Sequence, residues 1–193
     1  MKEPAVPKEY RSFLIETGRQ KVLEVLFNFP DKEFSLSDLA KEAGVAKANI
    51  GKILKNLHAY DMIEITKLAK IWRIRAKRSW NFTRAKILYN LNFVYQSGLV
   101  EYLYEQFKHP KSIVLFGSFR KGEDVSGSDI DIAVESDQEA DYRIIGLGEL
   151  SDFEKGVGRK IQVHLFNRKN IDINVFNNIA NGIVLTGFLE VKP

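Results

Sequence analysis

The chain has 193 residues, of which 45% are hydrophobic and 28% charged, so it is long enough for two compact globular domains. It contains no Cys, which excludes disulfides and thiolate chemistry, and any zinc site would need ligands beyond its three His. No apolar stretch approaches the length of a membrane span, and the amino-terminal tail lacks the apolar core of a signal peptide. We therefore expect a cytoplasmic protein with no membrane partner.

Charge is distributed unevenly along the chain. The formal net charge is +4, but residues 1–80 hold 16 Lys and Arg against 10 Asp and Glu, a net +6. Residues 81–193 hold 13 against 15, a net −2. The basic amino-terminal part is therefore the candidate for contact with nucleic acid.

Three helices are predicted at the amino terminus from the spacing of apolar residues. The first covers Tyr10 to Phe29, the second lies between Ser35 and Gly44, and the third covers Lys47 to Ala59. Ser35 precedes the second helix and, with Asp38, forms a capping arrangement. Two short helices joined by a tight glycine turn are typical of a helix-turn-helix.

Two alternating segments, Met62 to Thr66 and Ile71 to Arg75, follow as the strands of a hairpin. With them, residues 10–78 resemble the winged helix-turn-helix of small bacterial and archaeal transcription regulators. That resemblance implies that the third helix enters the major groove of double-stranded DNA and that the hairpin contacts its backbone or minor groove. The candidate DNA-binding residues are the basic and amide side chains Lys47, Asn49, Lys52, Lys55, Lys70, Arg73 and Arg75. The alternatives are a merely solvated basic face and a protein-contact module.

Residues 79–110 are predicted to be helical, with a break at Ser97-Gly98. They hold more aromatic side chains than one exposed helix needs, so this segment buries against something. Packing against the carboxy-terminal domain and a homodimer interface both remain open.

Ser112 to Phe116 is a short apolar run that ends at Gly117-Ser118, as a buried strand does when it meets a turn. After a second turn signal at residues 124–128, the chain resumes as a strand that begins Asp129-Ile-Asp131. Asp is depleted in strands, and two of them two residues apart project from one face with Cα atoms roughly 6.5 to 7 Å apart. A Mg²⁺ ion between them would turn their repulsion into binding.

The surrounding residues suit phosphate. Gly117 lets a backbone approach closely, Ser118 offers a hydroxyl and an N–H, and Arg120 and Lys121 are nearby cations. Gly-Ser, about ten intervening residues and Asp-x-Asp together resemble the signature of the minimal nucleotidyltransferases of the DNA polymerase β superfamily.

The resemblance implies transfer of a nucleoside monophosphate from an NTP to a hydroxyl, with release of pyrophosphate and two Mg²⁺ ions as cofactors. It implies that Asp129 and Asp131 hold metal and that Ser118 and the Gly117 backbone receive phosphates. Lys121, beside Arg120, would neutralise charge on pyrophosphate. The catalytic set is thus Asp129, Asp131, Ser118 and Lys121, and the nucleotide-binding set is Gly117, Ser118, Arg120 and Lys121.

The remaining chain is predicted as a helix over Ala140 to Gly156, a strand over Lys160 to Phe166, a helix over Asn170 to Asn181 and a closing segment from Gly182. This order is that of the minimal nucleotidyltransferase fold, an α/β sheet domain. The predicted fold class is α+β with two domains: a winged helix-turn-helix over residues 1–80, a helical connector over 81–110, and a nucleotidyltransferase-like mixed sheet with helices over 111–193.

The family usually has a third acid on the next strand, but Gln162 stands at that position, with His164 on the same face. Gln cannot act as a base at neutral pH, whereas His can accept a proton. Two functions stay open. One is a Mg-dependent nucleotidyltransferase tethered to DNA, whose acceptor is a partner toxin protein, as the resemblance to antitoxin relatives implies. The other is a transcription regulator whose nucleotidyltransferase-like domain only senses nucleotide.

Overall fold

The computed structural model describes residues 17–68 and 71–191. The chain divides into two compact units, one ending at Tyr89 and the other beginning at Asn90. A helix from Trp80 to Gln96 crosses this division. The domain limits expected at residues 80 and 110 stay predictions. Among the helices within the described ranges, none is both long and apolar enough to cross a membrane.

The amino-terminal unit has the element order of a winged helix. Its elements are α1 (Gly18–Asn28), β1 (Phe34–Ser35), α2 (Leu36–Glu42), α3 (Lys47–Ala59), β2 (Ile63–Leu68) and β3 (Ile71–Ala76). The strands form an antiparallel sheet in the order β1-β3-β2. The predicted helix-turn-helix and hairpin are therefore confirmed. The stretch from Tyr10 to residue 16, which the first helix was predicted to include, lies outside the described residues.

Local capping and a common apolar core account for these helices. The Thr17 side chain accepts a hydrogen bond from the Gln20 N–H at the start of α1. The Ser35 hydroxyl oxygen accepts one from the Asp38 N–H at the start of α2, which is the predicted cap. One side of each helix is buried with the sheet, and the fully buried side chains include Leu26, Leu39, Ile50, Leu54, Leu57 and Ile74.

The carboxy-terminal unit is built on a five-stranded mixed sheet. The chain runs through α4 (Trp80–Gln96), α5 (Leu99–Gln106), β4 (Ser112–Phe116), α6 (Gly117–Lys121), β5 (Ile130–Glu135), β6 (Arg143–Ile145), α7 (Ser151–Val157), β7 (Ile161–Phe166), α8 (Ile173–Ala180) and β8 (Ile183–Gly187). The strand order is β6-β7-β5-β4-β8, with β5 and β7 parallel and the other pairs antiparallel. The predicted α+β class is confirmed.

The helix predicted over Ala140 to Gly156 is wrong in its first half. Arg143–Ile145 form strand β6, which pairs antiparallel with the edge of β7. Helix begins only at Ser151, after one 3₁₀ turn. Gly146 and Gly148 weaken a helix at this point, and the β-branched pair before them suits a strand that covers an open edge.

The two faces of the sheet bury different helices. Ile113, Leu115, Ile132 and Val134 share a core with residues of α5 and α7. Val114, Phe116, Ala133 and Phe166 share the other core with Ile179 of α8. Because side chains alternate along a strand, the polar residues Asp129, Asp131, Gln162 and His164 project from the α8 face. That face carries the candidate site.

Candidate active site

The Gly-Ser and Asp-x-Asp motifs meet where β4 ends. Asp131 of β5 is directly opposite Phe116 of β4, and Gly117 follows with a φ of 73°. A Cβ atom at Gly117 would collide with Oδ2 of Asp131. Only glycine therefore allows this backbone conformation and this closeness to the carboxylate.

Both carboxylates are oriented by side chains of β7. Nε2 of Gln162 donates a hydrogen bond to Oδ2 of Asp129, with a distance of 2.5 Å. Nε2 of His164 lies 3.2 Å from Oδ1 of Asp131. Gln162 is paired with Asp131 in the parallel register of β5 and β7. Its amide thus lies beside the two acids and supplies a hydrogen-bond donor to one of them.

His164 is held on both sides of its ring. The imidazole is 6% exposed, and its Nδ1 lies 2.6 Å from the hydroxyl oxygen of Tyr142. Burial and the negative charge of Asp131 raise the pKa of Tyr142, so its hydroxyl stays protonated at neutral pH. The other ring nitrogen, Nε2, faces Asp131, so both ring nitrogens have a hydrogen-bonding partner. With both nitrogens engaged inside the protein, His164 is placed to orient the Asp131 carboxylate.

The donor atoms fit Mg²⁺ that arrives with a nucleotide. The hydrogen bonds from Gln162 and His164 leave Oδ1 of Asp129 and Oδ2 of Asp131 for a cation. Mg²⁺ is typically held by one or two carboxylates, with phosphates and water completing its octahedron. Within the described ranges, no group of three or more His, Asp or Glu residues is arranged to hold a metal. The two carboxylate oxygens thus match the share of a Mg²⁺ coordination sphere that protein groups usually supply.

A cavity of about 560 Å³ opens beside the glycine. It is lined by Phe116, Gly117, Arg120, Lys121, Asn178 and Asn181. Arg120 and Lys121 occupy the last turn of α6, so the two cations that were predicted to contact phosphate both line this cavity. Ser118 is half-buried next to Gly117 but does not line this cavity. The two asparagines, at the carboxy-terminal end of α8, were not predicted as site residues.

A buried polar cluster anchors the loop between the two motifs. Asp124 pairs with Arg159 across 2.8 Å, and both side chains are almost fully buried. Nδ2 of Asn90 donates to Oδ1 of Asp124 at 2.9 Å and to the carbonyl of Phe119 at 2.7 Å. Arg159 also donates to the Val125 carbonyl. The loop that joins Gly-Ser to Asp-x-Asp is thereby tied down, which keeps the two motifs in place.

The DNA-binding candidates divide into two groups. Lys47, Asn49, Lys52 and Lys55 are exposed along α3. Arg73 lies 3.4 Å from a carboxylate oxygen of Glu33, and Arg75 lies 2.5 Å from one of Glu64, so both wing cations have an acidic partner. Lys70 lies outside the described residues. Most of the uncompensated positive charge of this set therefore lies on α3.

Comparison with known proteins identifies the carboxy-terminal part of the chain. Residues 97–182 match the family model described as "Nucleotidyltransferase domain". The chain therefore carries a nucleotidyltransferase domain, and the predicted resemblance is confirmed for this region. A comparison with curated proteins gave no match.

Three solved structures show a distant resemblance. MepR, a transcription regulator of the Staphylococcus aureus multidrug efflux pump MepA, is 18% identical, with a TM-score of 0.39, and the match covers 53% of this chain and 79% of MepR. The heme sensor protein PefR from Streptococcus agalactiae is 16% identical, with a TM-score of 0.34 and coverages of 51% and 79%. Reduced HlyU from Vibrio cholerae is 14% identical, with a TM-score of 0.29 and coverages of 48% and 78%. At this level of similarity the matches carry no functional inference.

Proposed function

We propose that the carboxy-terminal domain binds a magnesium nucleoside triphosphate and transfers the nucleoside monophosphate to a hydroxyl. The observation that carries this proposal is the contact between Gly117 and Asp131. It brings the glycine of a phosphate-binding motif against a metal-binding carboxylate, at the mouth of a cavity lined by Arg120 and Lys121. This combination of acid, close backbone and cations suits a triphosphate with its metal.

Each side chain of the site has a role in this reaction. Asp129 and Asp131 hold Mg²⁺ through their free oxygens, while Gln162 and His164 orient the two carboxylates. When bound, the ion neutralises phosphate charge and polarises the phosphate that is attacked. Arg120 and Lys121 would offset the charge that develops on the departing pyrophosphate, and the Gly117 backbone and Ser118 would contact the β- and γ-phosphates.

The transfer needs no reactant other than the NTP and the acceptor hydroxyl. The acceptor hydroxyl oxygen forms a bond to the α-phosphorus, and the bond from that phosphorus to the oxygen that bridges the α- and β-phosphates breaks. The electron pair of the broken bond leaves with pyrophosphate. The hydroxyl proton passes to water, because the Gln162 amide cannot accept it and the free oxygens of Asp129 and Asp131 hold Mg²⁺.

One observation favours a second function, in which the domain senses nucleotide without turning it over. Where the family has a third carboxylate, Gln162 uses its amide to hold Asp129. A neutral amide adds no negative charge for a second metal ion and no base for the acceptor. In this alternative the bound nucleotide would adjust the affinity of the amino-terminal unit for DNA.

We propose that the winged helix binds double-stranded DNA through the exposed basic residues of α3. Lys52 and Lys55 are exposed on that helix and would contact phosphates or base edges. The paired arginines of the wing, Arg73 and Arg75, would exchange their acidic partners for phosphates. Binding should therefore weaken steeply with salt.

We further propose a protein acceptor and a dimer. The acceptor hydroxyl would belong to a partner protein of the toxin class, as the family resemblance implies. A second copy of the chain would cover the apolar side chains that α4 exposes, Trp80, Leu88 and Tyr95, which are 77%, 68% and 46% exposed. Light scattering of the wild type and of Leu88→Asp tests the dimer, which the variant should weaken.

The proposed reaction is tested with labelled NTPs, Mg²⁺ and cell extract. Label at the α-phosphate should appear on a protein and label at the γ-phosphate should not, and Asp131→Asn should abolish the transfer. Binding of nucleotide without transfer from either position would leave the sensor function. Absence of both binding and transfer would refute the proposed function as a whole.

A further inference from the structure

The cavity beside Gly117 has two chemically different walls. Arg120 and Lys121 form a cationic wall on α6, and Asn178 and Asn181 form an amide wall on α8. Cations attract phosphate oxygens of any triphosphate equally. Amides present a donor and an acceptor, the groups that pair with ribose hydroxyls and with the edges of bases. We propose that Asn178 and Asn181 bind the nucleoside part of the NTP and set which nucleoside is accepted, an inference that rests on the proposed nucleotide binding.

The amide wall is held in a fixed position. Asp172 caps α8 by accepting hydrogen bonds from the Asn174 and Val175 N–H groups, and Ile179 is completely buried. At the other end, a Cβ atom on Gly182 would lie 2.6 Å from the carbonyl oxygen of Leu115 in β4. The carboxy-terminal end of α8 is thus pressed against the strand that leads into Gly117, so both walls are set by the same strand.

The hydrogen bonds already present define what each amide can offer. Nδ2 of Asn181 donates to the carbonyl of Asn177 at 2.8 Å, which leaves its Oδ1 as an acceptor. Asn178 is exposed, and its side chain has no hydrogen-bond partner within the described part of the chain, so it offers both a donor and an acceptor. On the cationic wall, Nε of Arg120 is buried without a hydrogen bond among the described residues. A volume of about 560 Å³ falls in the range of small-molecule sites.

The cationic wall, the amide wall and the proposed metal site also occupy different positions. Asp131 touches Gly117, so metal and phosphates belong at the glycine. The cations extend from there along α6, and the asparagines come from a separate helix. A triphosphate that follows the glycine and the cations would leave the amides for sugar and base.

The test compares ATP with inorganic tripolyphosphate, which has the same kind of charge but no nucleoside. Equilibrium titrations use the full chain with Mg²⁺ and four ligands: ATP, dATP, GTP and tripolyphosphate. We expect Asn178→Ala to weaken ATP about fivefold and the double variant with Asn181→Ala about tenfold or more, because one or two hydrogen bonds are lost. Tripolyphosphate should bind both variants as it binds the wild type.

Two further variants complete the comparison. Arg120→Ala should weaken ATP and tripolyphosphate alike, and Asn177→Ala, an exposed asparagine of α8 that does not line the cavity, should change neither. Loss of the preference for ATP over dATP in the Asn178 variant assigns the contact to the sugar, and loss of the preference for ATP over GTP assigns it to the base.

If the asparagine variants lose affinity for ATP and for tripolyphosphate equally, or lose none, the inference about the nucleoside is wrong, but the proposed phosphate site is not refuted. If the wild type binds neither ligand, the proposed function itself fails.

Discussion

The buried Asp124–Arg159 pair offers a direct test of how the loop between the two motifs is held. Asp124→Asn keeps the size of the side chain but removes the charge that faces Arg159 at 2.8 Å. The two side chains are 0% and 3% exposed, so water cannot replace the lost partner. Removing one member of such a buried pair costs about 3–5 kcal/mol, because the other charge is left buried without compensation.

The assay is equilibrium unfolding in urea followed by far-UV circular dichroism. The matched control is Asp152→Asn, which breaks an exposed 3.2 Å pair with Lys155 and should cost less than about 1 kcal/mol. A double variant in which Asp124 and Arg159 become Leu and Met should recover much of the loss, since no charge is then left buried. A loss below about 1 kcal/mol for Asp124→Asn, equal to that of the control, would show that the buried pair does not stabilise the loop.

Three further predictions concern the site and the winged helix. Gly117→Ala should lower the free energy of unfolding by about 1–3 kcal/mol and abolish MgATP binding in titrations. The reason is that φ at Gly117 is 73° and the new methyl group would displace a metal-binding carboxylate. The control Gly127→Ala, where a Cβ meets nothing within 4 Å, should change neither quantity. Tyr142→Phe should cost about 1–2 kcal/mol in urea unfolding and weaken MgATP binding, because the imidazole loses its hydrogen bond at Nδ1. Unchanged stability and affinity would contradict the positioning role. Lys52→Ala should weaken the binding of duplex DNA and lower the magnitude of the slope of log affinity against log salt by about 1. Glu64→Gln frees the wing arginine that Glu64 pairs with, so this variant should bind DNA more tightly. DNA binding that does not depend on salt would exclude the groove model.

Features whose signal is local in sequence were predicted well. The third helix was placed over Lys47–Ala59, the bounds that α3 has, because apolar spacing and the preceding glycine turn both act over a few residues. The meeting of Gly117 with Asp131 was implied by two motifs whose strands are neighbours. The spacing of the two acids also placed them on one face correctly, because the period of a strand is two.

Features that depend on distant partners were not predictable in the same way. Ile144 and Ile145 fit a helical pattern, but the open edge of β7 pairs with them as a strand. Tyr142 belongs to the same segment, which was predicted to be helical, so its hydrogen bond to His164 could not be predicted. Asp124 reads as a turn residue, and its partner is 35 positions away at Arg159.

The amide wall was also out of reach of sequence reasoning. Asn178 and Asn181 are exposed polar residues on a helix, and such residues usually form a solvated face. Only the packing of α8 against the strand that precedes Gly117 brings them to the cavity. The sequence feature that comes nearest to indicating these two site residues is the high number of asparagines near the end of this helix.

Binding of ATP to the full chain, measured with Mg²⁺ and separately with EDTA, tests the metal-nucleotide site. We expect clear binding with Mg²⁺, much weaker binding with EDTA, and the same weak binding for Asp131→Asn under both conditions. Circular dichroism would show that the variant is folded. ATP affinity that is the same with Mg²⁺ and EDTA, or that survives Asp131→Asn, would contradict a metal-nucleotide site built on Asp129 and Asp131.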